Sequence, residues 1–92
     1  MAGVSAFRRG GAGKRRDANE AAIVETLQAY GCRVWRIGGS GLPDLLVWYR
    51  GRAHALEVKT ATGRKTDAQA DVPWPIVRSV DEAVAVVLLR HP

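Results

Sequence analysis

Asp44 follows Pro43, and thirteen residues further on stands the triplet Glu57-Val58-Lys59. In an extended strand, residues two apart project to one face, so Glu57 and Lys59 share a face with Ala53 and Ala55. A carboxylate and an ammonium among Ala, Leu and Val neighbours are partly desolvated and require partners or a metal. If Asp44 opens the adjacent strand, two carboxylates meet across a hairpin, a donor set suited to a hard divalent cation such as magnesium. Such a cation would offset the repulsion between Asp44 and Glu57, hold a phosphate oxygen and lower the pKa of a bound water for in-line attack. Lys59 is then placed to stabilise charge developing on phosphorus. The plainer alternative is a same-face ion pair of Glu57 and Lys59 on an edge strand, with Asp44 a turn residue.

Positioning these groups falls to a small set of elements. Asn19 is expected to cap a helix running to about Tyr30, with Ile23, Val24, Leu27 and Tyr30 on its inward stripe and Gly31 ending it. Glu20 leads that stripe and adds a further acid, whereas Glu25 and Gln28 face water. Cys32 to Ile37 reads as a strand, followed by the loop Gly38-Gly39-Ser40-Gly41 that Pro43 closes. Leu45 to Tyr49 and Ala53 to Thr60 read as a hairpin around Arg50-Gly51-Arg52. Thr66-Asp67-Ala68-Gln69 starts a short helix that Pro73-Trp74-Pro75 stops, and Ile76 to Val80 is a further strand. Asp81 and Glu82 open a final, almost uniformly apolar helix, with a strand over Ala85 to Leu89 as the alternative.

The chain has 92 residues, enough for one small domain that must use nearly all its apolar content as core. Apolar residues at 47% and charged residues at 25% are ordinary globular values, which argues against a disordered chain or a disulfide scaffold. Cys32 is the lone cysteine, and neither Met1 to Gly10 nor any later stretch supplies the apolar run of a signal peptide or membrane span. A soluble protein of the cytoplasm, in a bacterium or a phage-infected host cell, is the expectation. Of 14 Lys and Arg, five (Arg8, Arg9, Lys14, Arg15 and Arg16) lie in the first sixteen residues without an acid, and the nine that remain match the nine acids. Residues 1–16 thus read as a flexible basic arm and 17–92 as a single domain of balanced charge. Such an arm suits a polyanion, with a solubilising tail as the blander reading.

Together these residues resemble the PD-(D/E)XK nuclease superfamily, and within it the virus-type replication-repair nuclease (VRR-NUC) domain found in small stand-alone phage proteins. The resemblance spans about residues 17 to 87. It rests on Asn19-Glu20, Gly41-Leu42-Pro43-Asp44-Leu45-Leu46-Val47, Leu56-Glu57-Val58-Lys59-Thr60, Gln69, Val77-Arg78-Ser79 and Asp81-Glu82-Ala83. It implies an α/β fold, an αβββαβ restriction-endonuclease-like core with a mixed sheet, and magnesium- or manganese-dependent cleavage of DNA. It also implies a homodimer acting on branched DNA, as Holliday-junction resolvases do. Asp44 and Glu57 would be metal ligands, Lys59 the catalytic lysine, Glu20 the helix acid that orients or extends the metal coordination, and Gln69 the glutamine near the scissile phosphate. Only Ala70 to Pro75 separate Gln69 from the next strand, so the crossover helix must be shorter than is usual in that family.

For backbone phosphates the first choices are Arg64 and Lys65 beside the arm residues, with Arg36, Arg50, Arg52 and Arg78 as further cations. Trp35, Trp48, Tyr49 and Trp74 are available to stack on unpaired bases, Trp48 foremost because it alternates to the side of Asp44; core packing is the competing role, and Trp74 between prolines reads as a plug. His54 and His91 lack partners at zinc-ligand spacing, and the glycine run lacks the Lys-Ser/Thr ending of a phosphate loop. Two other classes stay open: a DNA-binding protein of the same fold that is catalytically weak or inactive, and an oligomeric interaction module whose charged strand residues are structural.

Overall fold

In the computed structural model, which describes residues 14–60 and 72–89, the first helix α1 spans Lys14–Ala29. It begins ahead of Asn19, so Asn19 is not its cap. Lys14, Arg15 and Arg16 are good helix formers, and Asp17 in the first turn suits the positive end of the helix dipole. Ile23, Val24 and Leu27 are buried as expected, but Tyr30 is 55% exposed. The reason is the way α1 stops. Gly31, at φ 97°, lets the Cys32 N–H reach back to the Leu27 carbonyl (3.0 Å) and its own N–H to the Gln28 carbonyl (2.9 Å). Buried Cys32, rather than Tyr30, then carries the chain back into the core.

Strands β1 (Arg33–Arg36), β2 (Leu45–Tyr49), β3 (Arg52–Val58) and β4 (Ile76–Val77) form one sheet in that spatial order. The first three are antiparallel and β4 runs parallel to β3, the mixed sheet expected of the αβββαβ core. The β2–β3 connection is a two-residue turn in which Arg50 (φ 50°) and Gly51 (φ 81°) are both left-handed, matching the twist of the strands it joins.

Strand ends differ from the sequence reading, and side chains explain why. Beyond Val58 the Lys59 N–H still donates to the Val77 carbonyl (3.0 Å). The Lys59 and Thr60 carbonyls, however, go to the side chains of Asn19 and Arg78, so the strand does not reach Thr60. Likewise β4 stops at Val77 rather than Val80, because the Arg78 N–H donates to Glu82 Oε1 (2.6 Å) and Ser79 caps the next helix, accepting from the Glu82 N–H (3.1 Å). That helix, α2, covers only Val80–Val84 and continues as a π-helical turn over Ala85–Leu89, not as a strand.

Helix α1 packs on β1 and β3 and against α2, while the π turn rests on β2. The core between them comprises Ile23, Val24, Leu27, Leu45, Val47, Leu56, Val58, Val77, Ala83 and Val87, with Cys32 at its border. Among the described residues no helix is long and apolar enough to cross a membrane. Arg8, Arg9, Arg64, Lys65, Gln69 and the short helix expected from Thr66 lie outside the described residues, as do the side chains of Lys14, Arg15 and Arg16.

Candidate active site

Because Leu45 pairs with Leu56, the adjacent positions Asp44 and Glu57 fall side by side where the β2–β3 ladder ends. Two hydrogen bonds fix Asp44 there. Its N–H donates to the Leu56 carbonyl (3.0 Å), and its Oδ2 accepts from the Val58 N–H (2.8 Å), so Asp44 is tied to the residues on both sides of Glu57. Asp44 and Glu57 are the buried acids of the described chain, at 7% and 8% exposure.

Glu57 is held from two directions. The Trp74 indole N–H donates to its Oε1 (3.1 Å), and Lys59 Nζ lies 3.7 Å from its Oε2. Pro75, next to Trp74, accepts from the Glu57 N–H (2.9 Å), so the turn into β4 clasps both the backbone and the side chain of this residue. Trp74 is therefore not merely a plug. A half-buried indole needs a partner for its N–H, and Glu57 supplies it.

Lys59 is placed by its backbone. Its N–H is in the β3–β4 ladder, and its carbonyl accepts from Asn19 Nδ2 (2.7 Å), which also donates to the Arg78 carbonyl (3.2 Å). Arg78 Nη1 donates to the neighbouring Thr60 carbonyl (2.8 Å). One amide of α1 thus ties the ends of two parallel strands together just where the lysine emerges. Asn19 sits four residues before Ile23, on the inward side of the helix, and a polar residue at such a position must find partners.

Glu20 also lies on that side, with a side chain only 14% exposed, and its Oε2 is 3.7 Å from Arg36 Nε on β1. The described residues contain no group of three or more acidic, His or Cys side chains arranged to hold a metal, so Glu20 is not gathered with Asp44 and Glu57 into one such group. Magnesium is commonly held by one or two carboxylates with water completing its shell, and Asp44 and Glu57 are two such groups side by side. The donor chemistry of Asp44 and Glu57 fits a divalent cation.

A solved structure described as a VRR_NUC domain is similar to this chain, with a TM-score of 0.64 and 22% identity over 84% of this chain and 98% of that one. No family model matches the sequence, and no curated protein matches it. The chain has the fold of that VRR_NUC domain, a small α/β fold with a four-stranded mixed sheet.

Proposed function

We propose that this protein is a divalent-metal-dependent nuclease that hydrolyses DNA phosphodiesters, with branched or structured DNA as its preferred substrate. The observation that carries this reading is the burial of Asp44 and Glu57 side by side with Lys59 Nζ 3.7 Å from Glu57, on a nuclease-type fold. A magnesium or manganese ion held by Asp44 and Glu57 would supply Lewis-acid charge and a water of lowered pKa.

The chain's own residues have separable parts in this scheme. Val58 and Trp74 hold the two carboxylates in fixed orientations, so they need not reorganise when substrate arrives. Lys59, partly desolvated, presents its ammonium to the non-bridging phosphate oxygens as negative charge builds on them. In phosphodiester hydrolysis a water oxygen bonds to phosphorus and gives up a proton to solvent, while the bond from phosphorus to the departing sugar oxygen breaks and that oxygen keeps the electron pair and takes up a proton from solvent. Glu20 would be the helix acid that orients or extends the metal coordination, Gln69 the glutamine near the scissile phosphate, and the basic residues Arg8, Arg9, Lys14, Arg15, Arg16, Arg64 and Lys65 would bind the DNA backbone. A homodimer would present two such sites for symmetric incision of a junction.

Labelled linear duplex, flap and four-way-junction DNA incubated with magnesium or manganese tests this directly. Wild type is expected to cut and to favour the branched forms, while Glu57→Ala and Lys59→Ala stay folded and lose cutting. Folded wild type that binds DNA but cuts none of the three with either metal would leave a binding protein instead. Metal binding has its own readout: magnesium or manganese should raise the melting temperature of wild type and not of Glu57→Ala.

A further inference from the structure

The helices pack on one face of the sheet, the face of Val34, Leu45, Val47, Leu56 and Val58. On the other, the register sets Trp35 opposite Leu46 and Trp48 opposite both Arg33 and Ala53, with Leu46 opposite Ala55. Trp35 and Trp48 are thus diagonal neighbours, and they are 49% and 45% exposed. The strand beside Trp48 contributes only the methyl groups of Ala53 and Ala55, so the surface there is flat. The same face continues along β3 to Glu57 and Lys59.

We propose that this face is a stacking platform for the unpaired bases of a single-stranded DNA segment leading into the Asp44, Glu57 and Lys59 site. The geometry suits the occupant: from Ala53 to Glu57 is about 13 Å at the rise of a strand, the span of about four stacked nucleotides. Stacking on indoles is favourable for every base and needs no sequence-specific contact. Charge selects DNA over a second copy of the chain. Arg33 lies on the platform and is exposed, and Arg50 and Arg52 are exposed at the adjacent hairpin turn. Two such faces brought together would oppose their arginines, whereas a phosphate backbone neutralises them.

The platform rests on the nucleic-acid reading above, and the experiment separates the two. The full chain is titrated, in EDTA so that nothing is cut, with a blunt duplex and with the same duplex bearing a short single-stranded extension that contains 2-aminopurine. The extension is expected to tighten binding and its 2-aminopurine to be quenched. In Trp35→Ala or Trp48→Ala the affinity ratio between the two DNAs should fall by about 5- to 100-fold, and Trp48→Phe should recover most of it. No gain from the extension, or a ratio that survives both alanine variants in folded protein, overturns the platform. So does a dimer that dissociates in Trp48→Ala while the ratio stays put, which would assign the face to a second copy. Cutting of blunt duplex without preference for the extension removes the platform and leaves the nuclease; extension-dependent binding without metal-dependent cutting keeps the platform and removes the nuclease.

Discussion

The Asp44 carboxylate accepts from the Val58 N–H at 2.8 Å, so a side chain completes the β2–β3 ladder at the point where the β2 backbone turns away toward Pro43. The N–H groups of Glu57 in β3 and of Lys59 just beyond it donate the other way, to Pro75 and Val77. The strand that carries the candidate glutamate and lysine is therefore bonded on both edges, and one of those bonds depends on a residue that is also a candidate metal ligand.

That double duty has a measurable consequence. Asp44→Ala leaves the buried Val58 N–H without its acceptor and should cost about 1–3 kcal/mol by urea denaturation. Asp44→Asn retains an amide oxygen for the same N–H, so it should keep most of the stability while losing metal-dependent cutting. Equal stability of the alanine variant and wild type would mean that the bond contributes nothing in solution.

Trp74 offers a contrast, since its contact is with the glutamate side chain. In Trp74→Phe the ring remains to fill space, but the donor to Glu57 Oε1 is gone. The expected result is a higher magnesium concentration for half-maximal cutting, with a stability loss of only about 1 kcal/mol. A magnesium titration of cleavage rate, run beside thermal melting, reads both; an unshifted midpoint would make the hydrogen bond irrelevant to the site.

Asn19 joins three elements through one amide. Asn19→Ala removes the donor to the Lys59 and Arg78 carbonyls, and about 1–3 kcal/mol should be lost for leaving part-buried carbonyls unsatisfied. Asn19→Asp should be worse, because a carboxylate accepts but does not donate and would face two carbonyl oxygens. Hydrogen exchange of the Lys59 N–H, which lies in the β3–β4 ladder, should accelerate in both variants before exchange of the β2–β3 amides does.

Periodicity and turn chemistry made much of this arrangement legible. Leu45–Tyr49 was readable because β-branched and aromatic residues sit between a Pro-Asp and a glycine-bearing turn, and Asp44, Glu57 and Lys59 stood out as charges in apolar strands. What the sequence concealed was decided by distant partners. Asn19 has the residue type and position of a helix cap, and only the fold brings the Lys59 carbonyl, forty residues away, within 2.7 Å of it. Trp74 met Glu57 for the same reason, through a parallel pairing that local pattern does not reveal. The early end of β4 depended on Glu82 reaching back to the Arg78 N–H, a contest between strand and helix cap that propensity alone leaves undecided.

Cys32 ties stability to alkaline pH. Burial at the end of α1 raises the pKa of its thiol above the ordinary range, because the thiolate is poorly solvated there. The unfolded chain therefore releases this proton first as pH climbs. Below roughly pH 8.5, the usual thiol value, both states are protonated and the contribution is fully present; above it, stability falls until the folded thiol also ionises. Urea midpoints of wild type minus Cys32→Ala, taken between about pH 7 and pH 10, isolate this group from Lys and Tyr, which titrate in both proteins. The difference should be level on the acidic side and decline on the alkaline side. A difference that stays level throughout would mean that the thiolate is as well stabilised in the folded protein as in the unfolded chain.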